Sequence, residues 1–126
     1  MAGEIKTSIS LQVAKGGAAI ATGTLSGQID MAGANMANFT QVVSTAANDI
    51  EALNVPADVA GDVFLVIKHN GASGTLTISK DSGGTHVLSK IGFGEPPCLL
   101  TRVPSSTLYV ASSTAGTPIQ AWISEA

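Results

Sequence analysis

A chain of 126 residues has the length of one domain and can bury a core without disulfides or metal. Only 12% of its residues are charged, the net charge is -3, and Ala, Gly, Ser and Thr make up 57 of the 126. Six scattered basic residues beside nine acidic ones leave no electrostatic footprint for nucleic acid, and the single cysteine, Cys98, excludes an internal disulfide and a multi-cysteine zinc site.

The chain opens on Met1, Ala2, Gly3, Glu4 and Ile5, with no basic stretch followed by an apolar run as in a secretory leader. Residues 1–7 are expected to form a short arm. Residues 8–13 alternate, with Ile9, Leu11 and Val13 on one face and Ser8, Ser10 and Gln12 on the other, which predicts a half-buried strand. Lys15-Gly16-Gly17 breaks it. Residues 18–24 and 25–31 are weaker, glycine-interrupted strands, and 31–38 favours a loop. Residues 39–45 form a strand with β-branched content. Residues 48–55 are too short for a convincing helix and are expected to be strand or turn up to Pro56.

The signals sharpen after Gly61. The run Val63-Phe64-Leu65-Val66-Ile67 predicts a strand covered on both faces. Residues 69–74 include Asn70-Gly71, a hairpin signal. Thr75 to Ser79 alternates, Asp81-Ser82-Gly83-Gly84 turns, and residues 85–91 return. Three further strands follow at 98–103, 107–111 and 118–123. The expected core includes Ile9, Leu11, Val13, Phe64, Val66, Leu76, Ile78, Leu99, Leu108, Val110, Ile119 and Ile123. The reading is an all-β, single domain over 1–126: a β-sandwich of jelly-roll type with eight to ten short antiparallel strands and no long helix. The uncharged stretch 103–124 holds Pro104, Gly116 and Pro118 and cannot satisfy its backbone as one membrane helix.

Groups able to do chemistry are few. His69 and His86 lie near turns with Asp81 between them, and exposed turn residues explain them better than a metal site. Cys98 opens an apolar run and reads as a small buried hydrophobe. Gly92-Phe93-Gly94 precedes no helix and makes a poor phosphate cradle. Asp49, Glu51, Asp58 and Asp62 lack calcium-loop spacing. The Asn38-Phe39-Thr40 sequon has no secretory context. Trp122 and Tyr109 could stack on a sugar or anchor packing. Trp122 falls on the face opposite Ile119 and Ile123, which marks it as a candidate interface residue. No catalytic residue, cofactor or metal ligand is assigned.

The series Gly61 to Asn70, Leu76 to Lys80, Leu88 to Pro96, Leu99 to Val103, Leu108 to Ser112 and Ile119 to Ile123 resembles small jelly-roll proteins of tailed-bacteriophage virions, of the capsid decoration or cement kind. Tail, collar and fibre-base jelly rolls show the same series. The resemblance implies a non-enzymatic structural protein on the capsid exterior, assembled in the host cytoplasm, that binds the major capsid protein and itself as a homotrimer, with no membrane or nucleic-acid partner. The alternative is a carbohydrate- or receptor-binding jelly roll of a tail, collar or fibre. Residues 75–79 and 108–111 lack Lys, Glu and Pro and read as unguarded sheet edges that favour self-association. Candidate contact residues are Met1, Ala2, Gly3, Glu4 and Ile5 of the arm, together with Trp122.

Overall fold

The computed structural model describes residues 4–31 and 33–126. The chain divides into two compact units, up to residue 32 and from residue 33 onward.

The first unit is a two-stranded ribbon. Strand β1 (Ile5–Ile9) pairs antiparallel with β4 (Leu25–Ile29), and β2 (Gln12–Lys15) with β3 (Ala18–Ala21). Gly16 and Gly17 form the tip between the paired Lys15 and Ala18, with φ of 59° and 85°. Two consecutive positive φ values define the tight turn whose twist matches a hairpin, and only glycine adopts them without strain. The two pairings are joined at Leu11 and Thr22: the Leu11 N–H donates to Thr22 Oγ1, and the Thr22 N–H to the Leu11 carbonyl, each at 3.0 Å. Thus the chain is paired from Ile5 onward, two residues before the expected end of the arm.

The second unit carries eight strands: β5 (Met36–Val43), β6 (Glu51–Ala52), β7 (Asp62–His69), β8 (Thr75–Ser79), β9 (Val87–Gly92), β10 (Cys98–Pro104), β11 (Tyr109–Ser112) and β12 (Thr117–Glu125). A 3₁₀ turn at Ser105–Thr107 separates β10 from β11. The pairs are nested: β5 with β12, β6 with β11, β7 with β10 and β8 with β9. This is one long hairpin. Rolling it up sets β12 beside β7 and β11 beside β8, which gives two four-stranded antiparallel sheets ordered β10-β7-β12-β5 and β6-β11-β8-β9. Two sheets built this way are a jelly roll.

The core is the space between the sheets. Val63, Leu65 and Ile67 of β7 and Ile119, Ala121 and Ile123 of β12 face Leu76, Ile78, Ile91 and Val110, and all are buried. Each of the Val, Leu and Ile side chains contributes about 1.5–3 kcal/mol through removal from water. Gln41 is buried and bonded: its Nε2 donates to Glu51 Oε1 at 3.0 Å, and its Oε1 accepts the Asn54 N–H at 2.8 Å, tying β5 to the loop after β6, whereas the buried His69 Nε2 has no hydrogen-bond partner among the described residues.

Four expectations are corrected. Ile9, Leu11 and Val13 are exposed, because a two-stranded ribbon has no second layer to cover its apolar face. Phe64, Val66 and Leu99 are half-buried, since β7 alternates instead of being covered on both faces. His69–Gly74 connects strands of different sheets, so Asn70-Gly71 is no hairpin turn, and among the six only Gly74 has a positive φ. The supposed edges at residues 75–79 and 108–111 are the interior strands β8 and β11; the edges are β5, β10, β6 and β9.

Candidate functional site

The outer faces of the two sheets differ in character. On the β6-β11-β8-β9 sheet the outward positions of β8, β9 and β11 include Thr75, Thr77, Lys90, Tyr109 and Ala111, and Val87 of β9 is exposed as well, a mixed set with no continuous apolar row. On the β10-β7-β12-β5 sheet the register lays Leu99, Val66, Trp122 and Asn38 directly side by side across all four strands. Phe64, Ser124 and Met36 form the neighbouring row. Trp122 keeps 37% of its surface exposed and Met36 69%, while Phe64, Val66 and Leu99 are half-buried. A contiguous aromatic and aliphatic row on the outside of a sheet is the composition of an interaction surface. The strand pattern places it there: alternation on β12 sends Ile119, Ala121 and Ile123 inward and Trp122 outward.

Arg102 borders this row. A register shift between Leu100 and Val103 accompanies its φ of 51°, and its guanidinium lies 5.9 Å from the centre of the Phe64 ring. The shift interrupts the β10 edge, a device that discourages strand addition there. The β5 edge, Met36–Val43, carries no Lys, Glu or Pro. Beside Trp122, Gln120 Nε2 donates to Asn38 Oδ1 at 3.2 Å, so the sequon asparagine is engaged in the sheet surface.

The other sequence candidates do not converge. Residues 1–3 of the arm lie outside the described residues. Glu4 is exposed and its Oε2 accepts the Met31 N–H at 2.8 Å, while Ile5 is buried and paired with Ile29, so neither belongs to a free arm. Tyr109 lies on the outer face of one sheet and Trp122 on that of the other, so the two aromatics form no joint sugar platform. His69 is buried at the end of β7, not an exposed turn residue: its Nδ1 accepts the Gly71 N–H at 3.0 Å, which puts the ring proton on Nε2. His86 is exposed, with Nδ1 3.4 Å from Asp81 Oδ1. Asp81 organises its turn by accepting the His86 N–H at 2.7 Å and the Thr85 N–H and hydroxyl, and the His86 bond above all holds its carboxyl well below the usual range. Asp49 caps its own turn through the Ala46 N–H, and Glu51 accepts from Gln41. Glu95 Oε2 accepts the Gly92 N–H at 2.7 Å, so the Gly92–Gly94 loop closes on its own carboxylate. Cys98 is half-buried against the core. Among the described residues no three His, Cys, Asp or Glu side chains form a group that could hold a metal ion.

One carboxylate has no signal in the sequence. Glu125 is buried near the end of β12 and accepts the Asn35 N–H at 3.0 Å and the Ala60 N–H at 2.9 Å. These backbone bonds, Asn35 first, hold its pKa below the ordinary glutamate value. It clamps two loops of the body, and a Cβ at Gly33 would overlap its carboxylate. With every described partner a backbone or amide group, its role is structural.

No protein-family model matches the chain, and no curated protein or solved structure shows significant similarity to it.

Proposed function

We propose that this protein is a non-enzymatic structural component of a phage virion that binds the outer surface of the capsid, with the major capsid protein as partner, and stabilises the shell. The observation that carries the reading is the Leu99–Val66–Trp122 row: an apolar row running across one outer face of a jelly roll whose other outer face mixes polar and apolar side chains. The resemblance of the strand series to capsid decoration proteins supports it. In this reading the chain works as a closed homo-oligomer, of three subunits as the resemblance implies. Several weak contacts on one rigid body then act at high effective concentration and gain roughly 10²–10⁴ in avidity.

The test mixes the protein with heads of the phage that supplies the chain, prepared without it. Binding should co-sediment the protein with the heads and raise the temperature at which the shell opens. Trp122→Ala should weaken binding about 10-fold or more, as for a central aromatic anchor. Wild-type protein that stays in the supernatant, or a Trp122→Ala variant that binds as well as wild type, refutes the reading. The second reading, a receptor-binding jelly roll of a tail or fibre, is favoured by the Asn38–Gln120 amide pair beside the exposed indole. It predicts glycan-dependent change in the fluorescence of Trp122, the only tryptophan.

A further inference from the structure

We infer that the apolar face of the N-terminal ribbon is covered by the same face of the ribbon from another copy of this chain. Residues directly opposite in an antiparallel pair share a face. The register therefore gathers Ile9 with Leu25, Leu11 with Thr22, and Val13 with Ile20 on one side of the ribbon. The reverse side carries Lys6, Ser8, Gln12 and Gln28. Ile9, Leu11, Val13, Ile20 and Leu25 remain 52%, 56%, 50%, 69% and 59% exposed. At about 100 Å² each this is about 500 Å² per ribbon, near the top of what a monomer leaves open, and two such faces reach the roughly 1,000 Å² that a specific interface needs.

Three features point to a second copy as the occupant. The three central rows read nearly the same from either end: the Leu11/Thr22 row is their midpoint and a large aliphatic pair lies on each side, with Thr7/Gly27 beyond one pair and Lys15/Ala18 beyond the other. Parallel and antiparallel stacking therefore both lay aliphatic rows on aliphatic rows, and an added Cβ at Gly27 would meet nothing within 4 Å, leaving room for a facing side chain. No charged side chain lies on the face from Ile5 to Val13 or across from them; the one charge on it, Lys15, sits at the glycine tip, outside the aliphatic rows that would be covered. Finally, a two-stranded ribbon is marginal on its own in water. A second ribbon stacked on this face supplies the layer it lacks. The inference goes beyond the capsid reading and does not depend on it.

The experiment uses the full chain in a Cys98→Ser background. Leu11→Cys should form a disulfide-linked pair of chains on mild oxidation, because the midpoint row meets its copy in either stacking direction. Ser10→Cys, one residue away on the reverse side, should cross-link at least about 10-fold less. In sedimentation at micromolar concentration the unmodified protein should associate, and Leu11→Asp should weaken association about 100-fold by burying an unpaired charge, with the Trp122 fluorescence of the body unchanged. A monomeric wild-type protein, equal cross-linking at positions 10 and 11, or a Leu11→Asp variant that associates like wild type overturns the inference. Should Leu11→Asp fail to fold, the cross-linking pair decides alone. Head binding enters none of these outcomes and tests the capsid contact separately; a monomeric protein would also remove the homo-oligomer from the capsid reading, whereas the cross-linking and Leu11→Asp outcomes bear on the ribbon alone.

Discussion

Two adjacent residues of β7 should differ sharply when truncated. Leu65 is fully buried between the sheets, with Leu100 and Ile123 directly across on the neighbouring strands. Phe64 points outward, half-buried under the Arg102 guanidinium. Leu65→Ala removes the side chain from a site closed on all sides and leaves a cavity, a change that costs about 3–4 kcal/mol. Phe64→Ala leaves a dent open to water, loses part of the ring's apolar burial and a cation–π contact worth about 0.5–1 kcal/mol, and should cost about 1–2 kcal/mol in all. Urea unfolding followed by Trp122 fluorescence measures both, at fixed protein concentration so that self-association does not distort the comparison. With a slope near 1 kcal/mol/M for a body this size, the midpoint should fall by about 3–4 M for Leu65→Ala and by about 1–2 M for Phe64→Ala. Equal costs would refute the assignment of inner and outer faces on β7, and with it the outer row that includes Val66.

Further expectations concern Glu125 and Cys98. Since the folded pKa of Glu125 is lowered, its contribution to stability is complete above the ordinary glutamate value of about 4.3 and is lost as the pH falls through the folded value. Glu125→Gln should therefore be less stable than wild type at neutral pH and should flatten the acid limb of stability below about pH 4.3; an unchanged acid limb would show that the clamp on Asn35 and Ala60 does not operate. Half-buried on the core side of β10, Cys98 should react slowly with an alkylating reagent in the native protein and fast in urea, and equal rates would place its thiol outside the packed surface.

The sequence reads well wherever a residue's fate depends on its own strand. The second-half strands and their alternation were legible, down to Trp122 facing away from Ile119 and Ile123, because period 2 is a local property of an extended chain. Residues 48–55, judged too short for a helix, hold the two-residue strand β6. What depended on distant pairing was not legible. Asn70-Gly71 has the composition of a hairpin turn, but β7 finds its partners in β10 and β12, so the segment crosses between sheets. Glu125 gave no signal, because its donors are backbone groups 90 and 65 residues earlier, and backbone N–H groups have no letter in a sequence. His69 looked like a turn residue because it adjoins Asn70-Gly71, yet it is the last residue of a strand whose odd positions point inward. The ribbon shows the same limit most clearly. The alternation of Ile9, Leu11 and Val13 predicts one apolar face buried within the chain, and in the structure that face is exposed. A strand pattern reports only that a face is suited to burial, and it reads identically whether the cover is folded from the same chain or contributed by another copy of it.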